Sequence, residues 1–391
     1  MRTIKLIFLL IFVNSISSGK IRPDILPGSY STDQYFPLIK GKGIGVVANQ
    51  TSLIRGVHLV DSLVAAGFDV KCVFAPEHGF RGDQGAGDHV ASGVDSTTGV
   101  KIKSLYGSQL KPDVKDLEGI QIMIFDIQDV GVRFYTYIST LQYVMEACAE
   151  NNIELIVLDR PNPNGFYVDG PILDKKFISF VGMQSIPVVY GMTIGEYSMM
   201  LNGEGWLKKN EKCKLKVIPL KNYNHNLKYQ LPVPPSPNLP DMDAVYLYPS
   251  ICFFEGTSVS LGRGTNKPFR LIGFPENESG GISFKPERIH GVAENPPYRD
   301  TLCRGLDLSG EGRNIVQSGR LELKWLLAMY AVYPDKGKFF NKFFDKLAGT
   351  DDLRKIMIKG KSQDEIRRRW QAGIDGFKKI RKSYLLYKDF E

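Results

Sequence analysis

Val70-Lys71-Cys72-Val73-Phe74-Ala75-Pro76-Glu77-His78-Gly79-Phe80-Arg81-Gly82 decides how this chain folds and where its chemistry sits. Residues 70–75 read as a buried strand. Directly after it come an acid, an imidazole and a guanidinium, bracketed by glycines. Buried charge is costly unless paired, and charged groups just past the carboxyl end of a strand usually line a cleft.

The flanking sequence repeats the arrangement. Upstream, Gly43-Ile44-Gly45-Val46-Val47-Ala48 is a strand ending at Asn49-Gln50-Thr51. Residues 57–67 follow as a helix, with Leu59, Leu63 and Val64 on one face and Gly67 as its stop. Downstream, residues 120–125 form a third strand ending at Asp126-Ile127-Gln128-Asp129. Residues 136–152 form a helix carrying Ile138, Leu141, Met145 and Cys148 at helical spacing. Residues 153–158 form a fourth strand ending at Asp159-Arg160-Pro161-Asn162-Pro163. Continuous apolar strands of this kind belong to a parallel sheet covered on both faces, so the fold class is α/β. Right-handed crossovers then bring Asn49, Glu77, Asp126, Asp129, Asp159 and Arg160 to one edge.

The chain of 391 residues is longer than one ordinary domain and suits two. A basic start, an apolar run over residues 6–13 and small residues to Gly19 read as a signal peptide, so the mature protein is expected to be exported, periplasmic or secreted. No later segment has transmembrane length. The Pro-rich stretch Pro232-Val233-Pro234-Pro235-Ser236-Pro237-Asn238-Leu239-Pro240 is stiff and extended. It gives the expected division: 1–19 signal, 20–241 catalytic domain, 242–391 smaller C-terminal domain. Cys72, Cys148, Cys213, Cys252 and Cys303 are odd in number and lack zinc spacing. The net charge of +8 is concentrated late, residues 351–391 holding twelve Lys/Arg against seven Asp/Glu. There Ile366, Trp370, Ile374 and Phe377 recur at helical spacing, which makes the charges the wet face of amphipathic helices. Thr193 with Glu196 forms a capping-box pattern, so Glu196 reads equally as a cap or as a site residue.

Three constellations could carry chemistry. The first is a set of carboxylates: Glu77 with Asp126, Asp129, Asp159 or Glu255. Glycosidic cleavage commonly uses one carboxylic acid to protonate the leaving oxygen and a second group as base or nucleophile. Glu77 leads as the acid because it follows an apolar strand. The second is Asp126-Ile127-Gln128-Asp129-Val130-Gly131-Val132-Arg133-Phe134-Tyr135-Thr136-Tyr137, whose aromatics and planar polar groups suit a sugar. Arg133 there has the fork that grips a carboxylate. The third is a metal set, His78, Asp83, Asp88, His89 and Asp126, which no ligand spacing links. No GxGxxG, P-loop or GxSxG pattern occurs in strand–turn–helix context, which argues against a nucleotide site or a serine triad.

Glu77-His78-Gly79-Phe80-Arg81-Gly82, Asp126 through Tyr137 and Asp159-Arg160-Pro161-Asn162-Pro163 together resemble the NamZ-type exo-β-N-acetylmuramidases, formerly a domain of unknown function. Gly191-Met192-Thr193-Ile194-Gly195-Glu196, Pro235-Ser236-Pro237-Asn238, Glu255-Gly256-Thr257 and Gly262-Arg263-Gly264-Thr265 continue the match in order. One departure is the single Gly165 after Pro163-Asn164, where two glycines are expected. The resemblance implies a Rossmann-like first domain, a smaller second domain and an active-site cleft between them. It also implies release of N-acetylmuramic acid from the non-reducing end of peptidoglycan fragments, with the family's proposed catalytic glutamate at Glu77. That sugar carries a lactyl carboxylate, for which Arg133, Arg160 and Arg263 are candidate partners, Arg133 foremost.

The expected site is therefore Glu77 as acid with Asp129 or Asp126 as second carboxylate, or Glu255 if the second domain closes the cleft. Asn49, His78, Arg81, Gln128, Arg133, Tyr135, Tyr137, Arg160, Asn162, Glu255 and Arg263 are the expected substrate-binding residues. No metal and no cofactor is implied. The expected partner is a muropeptide or a MurNAc–GlcNAc fragment, with no nucleic acid and no membrane span. The rival readings are a periplasmic cell-wall-sugar binding protein without turnover and a metal-dependent hydrolase.

Overall fold

The computed structural model describes residues 24–82 and 92–391; the stretch read as a signal peptide, and Asp83, Asp88 and His89, lie outside them. Helix α1 (Thr32–Ile39) leads into β1 (Gly43–Ala48), a short hairpin of β2 (Leu53–Ile54) and β3 (Val57–His58), and α2 (Leu59–Ala65). Then come β4 (Asp69–Ala75), β5 (Gly93–Val94), β6 (Lys101–Ser104), β7 (Ile122–Asp126), α3 (Tyr137–Glu150), β8 (Glu154–Leu158), α4 (Ile194–Gly203) and β9 (Lys214–Ile218). Seven strands form one sheet in the order β5-β6-β4-β1-β7-β8-β9. All neighbours pair in parallel except the edge strand β5.

Numbered among themselves, the six parallel strands lie in the order 3-2-1-4-5-6. This is the doubly wound arrangement, and its crevice opens beyond the carboxyl ends where the order reverses. Here the reversal falls between β1 and β7, with Ala48 opposite Asp126. Asn49, Glu77 and the segment after Asp126 therefore emerge side by side.

The strand cores alternate between two faces. Ile44, Val46 and Ala48 pack with Tyr35, Ile39, Leu59 and Leu63 of α1 and α2. Val47, Phe125 and Val157 face α3 and α4 in a second cluster that runs on into the C-terminal part. Four strands read from sequence are present with ends shifted by up to two residues. Strands β6 and β9 escaped that reading. Lys101-Ile102-Lys103-Ser104 and Lys214-Leu215-Lys216-Val217-Ile218 alternate lysine with apolar residues because these outer strands keep one wet face.

Beyond the Pro-rich stretch, α5 (Met242–Ile251) precedes an antiparallel sheet of β10 (Leu271–Phe274), β11 (Ile282–Phe284) and β12 (Cys303–Asp307), ordered β10-β12-β11. Helices α6 (Gly312–Ser318), α7 (Lys324–Val332), α8 (Lys336–Phe339), α9 (Phe344–Ala348), α10 (Asp352–Ile358) and α11 (Gln363–Lys382) complete it. Helix α11 buries Ile366, Trp370, Ile374 and Phe377, as its spacing predicts, and starts with a Ser362–Glu365 capping box. The chain end then returns to the first domain. Tyr387 donates to Asp159 at 2.6 Å, and Leu386 N–H donates to Glu196 at 2.9 Å. All five cysteines are buried and free.

Arg133 joins the two parts. Its guanidinium is fully buried and donates to the carbonyls of Pro171 and Ile186 on one side. On the other it donates to Leu347 and Ala348, each at 2.8 Å, at the carbonyl end of α9. The negative end of that helix favours a cation. Gly349 lets the guanidinium in, since a Cβ there would lie 2.7 Å from Nη2. Burial without a carboxylate partner pulls the Arg133 pKa down. Replacing Arg133 with Met leaves four buried carbonyls without donors. At about 1–3 kcal/mol for a buried unsatisfied group, partly relieved by relaxation, the expected loss is about 3–5 kcal/mol. Urea unfolding followed by tryptophan fluorescence checks it; an unchanged midpoint would show that the clamp is idle.

Candidate active site

Glu77 is the first residue past Pro76 at the end of β4, in a tight turn closed by Gly79 N–H donating to Pro76 O at 3.1 Å. His78 and Gly79 both adopt positive φ, +73° and +78°. For histidine this is uncommon, and a backbone held there needs support from its surroundings. Arg81 provides some of it. Its guanidinium bonds Asp61 of α2 through two nitrogens at 3.1 and 2.7 Å, and Asp95 through two more contacts at 3.2 and 2.8 Å. It also lies 4.4 Å from the Phe80 ring centre. Arg81 thus fixes the loop that carries Glu77.

The segment after β7 completes the wall. Thr136 donates to Glu77 Oε2 at 3.3 Å, and the Tyr137 hydroxyl donates to Glu77 O at 3.3 Å. Asn49, at the end of β1, donates Nδ2 to the same Tyr137 oxygen at 3.0 Å. Its own Oδ1 is taken up by Thr51. Burial, and then the neighbouring Glu77 charge, raise the Tyr137 pKa. Tyr135 packs edge-on against Tyr137 and Tyr248, and donates to Pro235 O at 2.8 Å in the Pro-rich stretch.

Glu77, His78, Thr136, Tyr135, Tyr137 and Tyr248 line a cavity of about 380 Å³, within the range of small-molecule sites, while Asn49 and Arg81, expected to bind substrate, support this wall from outside the lining. Glu77, His78, Thr136, Tyr135 and Tyr137 come from the sheet edge. Tyr248, Glu255, Arg263, Phe269 and Glu294 face them from beyond the Pro-rich stretch. Arg263 donates to Glu255 Oε1 from Nε at 3.2 Å and from Nη2 at 2.6 Å, and lies 5.0 Å from the Phe269 ring centre. Glu294 is held by Arg288, by Gly291 N–H and by His290. The Arg288 bond, with the Gly291 amide, lowers its pKa to about 2, so it stays ionised and is a poor proton donor.

The other strand-end groups sit elsewhere. Among the described residues that line the cavity, neither Asp126 nor Asp129 figures. Asp126 is fully buried, and both its oxygens are bonded by Arg160, at 2.6 and 2.8 Å. Asp129 accepts from Gly131 N–H and from the Tyr190 hydroxyl, with one oxygen lacking a partner. Burial pushes it up to about 6. Asp159 caps the start of α4, accepting from Gly195 N–H and Thr193, and burial pushes it up to about 7. Gln128 spends its amide on the carbonyls of Asp129 and Pro161, and Asn162 spends its own on Met192 O. Glu196 closes the Thr193 capping box and contacts His225.

Two expectations for the lactyl carboxylate therefore need correction. Arg133 is committed to four backbone carbonyls, and Arg160 to Asp126; both are buried outside the cavity lining. Arg263 does line it. Tyr106, Tyr248, Phe269 and Glu294 also line the cavity and carry no mark in the sequence. Tyr248 and Phe269 look like ordinary core aromatics in their local sequence, and only the approach of the second domain turns them toward the first. Thr136 lay within the quoted stretch but carried no mark of its own. Of the metal set, His78 lines the cavity while Asp126 is tied to Arg160, and no cluster of three ligand-type side chains occurs among the described residues.

Known proteins match this arrangement along almost its whole length. The family descriptions "Exo-beta-N-acetylmuramidase NamZ, N-terminal" and "Exo-beta-N-acetylmuramidase NamZ, C-terminal" match residues 44–243 and 246–387. The peptidoglycan β-N-acetylmuramidase NamZ of Bacillus subtilis (strain 168) is 38% identical, the match covering 90% of this chain and 89% of that protein. A crystal structure of a DUF1343 family protein from Bacteroides fragilis is 47% identical with a TM-score of 0.88, covering 94% of this chain and 100% of the other. A second DUF1343 protein from the same organism is 29% identical with a TM-score of 0.78, over 93% and 99% of the two chains. The chain belongs to the NamZ family of exo-β-N-acetylmuramidases.

Proposed function

We propose that the chain is an exo-acting glycoside hydrolase that releases N-acetylmuramic acid from the non-reducing end of peptidoglycan fragments, with Glu77 as general acid. The observation that carries the assignment of Glu77 is its place in the cavity wall past the carboxyl end of β4, beside the reversal point of the sheet, oriented by Thr136 and Tyr137. The family's activity supplies the reaction class, and the turn at His78 supplies a rigid mount for the acid.

In this reading Glu77 gives its proton to the glycosidic oxygen as the bond to the anomeric carbon breaks. Glu255 and Glu294 are the carboxylates that face it from the second domain, and Glu255 is favoured as the second group over Asp126 and Asp129, which lie outside the cavity lining. The substrate's own acetamido oxygen is the other candidate nucleophile. The aromatic wall of Tyr135, Tyr137, Tyr248 and Phe269 suits the apolar face of a sugar ring. Arg263 is the proposed partner of the lactyl carboxylate, sharing its donors with Glu255. The substrate itself is proposed to be a MurNAc–GlcNAc fragment or a short muropeptide. Export of the mature chain is proposed on the N-terminal pattern alone.

Glu77→Gln keeps size and hydrogen bonding but removes the transferable proton. Its rate of sugar release from a MurNAc–GlcNAc disaccharide is expected to fall about 10²–10⁴-fold. Full retained activity would remove Glu77 from the mechanism, while wild-type binding without release over long incubation would favour a binding protein. Arg263→Met is expected to lower kcat/KM about 10–100-fold for the natural disaccharide, the worth of a hydrogen bond to a charged group. It should change little for a disaccharide whose lactyl carboxylate is amidated. Equal losses on both substrates would assign Arg263 to Glu255 alone.

A further inference from the structure

A second, more open cavity of about 600 Å³ lies in the C-terminal part, beside the first. The two share a thin wall. Arg263 lines the first and Gly264 the second. Gly264 has a φ of +79°, and a Cβ on it would lie 2.4 Å from Glu287 O and 2.7 Å from Pro296. Glu287 belongs to the second cavity and Pro296 to the first. The Arg288–Glu294 ion pair spans the same boundary, with Arg288 in the second cavity and Glu294 in the first.

The lining is that of a saccharide site rather than of a packing defect. Leu271, Ile282 and Phe284 give apolar surface, and Thr265, Asn266 and Ser283 give hydrogen-bonding groups. Three cations, Lys267, Lys285 and Arg288, line the cavity with two anions, Glu287 and Asp307, and Arg288 has its partner, Glu294, across the wall. The cations are paired, Lys267 with Asp307 at 2.6 Å and Lys285 with Glu287 at 2.9 Å, but the partners are solvent-exposed. Such pairs are worth about 0–1 kcal/mol, so an incoming carboxylate can compete for them.

We propose that this cavity holds the leaving side of the glycan, binding an N-acetylated, carboxylate-bearing sugar beyond the scissile bond. The inference rests on the exo-acting reading above. With the terminal sugar in the first cavity, the leaving chain is placed across the shared wall at Gly264 and Pro296. In an alternating glycan the third sugar carries a carboxylate like the first, which Lys267 and Lys285 can bind in exchange for their weakly held surface partners. The role is one of specificity for chain length: Lys267 and Lys285 strengthen binding of longer fragments and touch no reacting atom.

The test compares release of the terminal sugar from a MurNAc–GlcNAc disaccharide and from the corresponding tetrasaccharide, for the wild type, the Lys267→Glu/Lys285→Glu double variant and the milder Lys285→Ala. The wild type is expected to show a higher kcat/KM on the tetrasaccharide. The double variant should lose about tenfold of that preference, chiefly through KM, and keep its disaccharide kcat/KM within about twofold; Lys285→Ala should lose part of it. A wild type without length preference, or variants that keep it in full, would overturn the inference while leaving the hydrolase intact. Equal losses on both substrates would also overturn it. A wild type that cleaves neither substrate would instead overturn the underlying hydrolase reading.

Discussion

Asp126 closes β7 with a fully buried carboxylate, and Arg160, just past β8, supplies hydrogen bonds to both of its oxygens. Removing either partner would leave an uncompensated buried charge, a loss of about 3–5 kcal/mol. The pair occupies the point where the strand order reverses, which is where a doubly wound sheet offers its crevice. It therefore decides which strand-end groups remain to face a ligand. Asp159 is drawn into the cap of α4, and Asp129 into bonds with Tyr190 and Gly131. The acid that reaches the cavity wall from this edge is Glu77.

The cavity has its second wall because the C-terminal part is held firmly against the sheet. Arg133 does this by bridging the Pro171 and Ile186 carbonyls to two carbonyls at the end of α9, and the chain terminus does it again through Tyr387 and Leu386. Buried Arg381 adds bonds to Gly191 O and Asp389. Glu255, Arg263 and Phe269 thereby face Tyr135 and Tyr137 across a space of sugar-site size. Arg133 and the active site are linked through one loop: Arg133 anchors the segment in which Thr136 and Tyr137 orient Glu77.

Much of this was legible in the sequence. Continuous apolar runs ending in polar clusters gave the parallel sheet and its functional edge, and the alternating lysines of β6 and β9 hid two outer strands. Spacing marked the Thr193–Glu196 cap and the buried stripe of α11. What the sequence could not rank was the fate of each polar strand end. Arg133 and Arg263 carry the same side chain, and nothing local separates them. Arg133 meets helix-end carbonyls more than two hundred positions away, while Arg263 meets Glu255 in the cavity. Long-range partners decide which cation is structural and which is available to a ligand, and periodicity does not report them.

The most direct test is a crystal structure with N-acetylmuramic acid bound. The sugar is expected in the cavity between Tyr137 and Phe269, with Glu77 within hydrogen-bond reach of the anomeric oxygen and Arg263 on the lactyl carboxylate. A sugar whose anomeric oxygen lies out of reach of Glu77, and beside a different carboxyl group, would contradict the role given to Glu77.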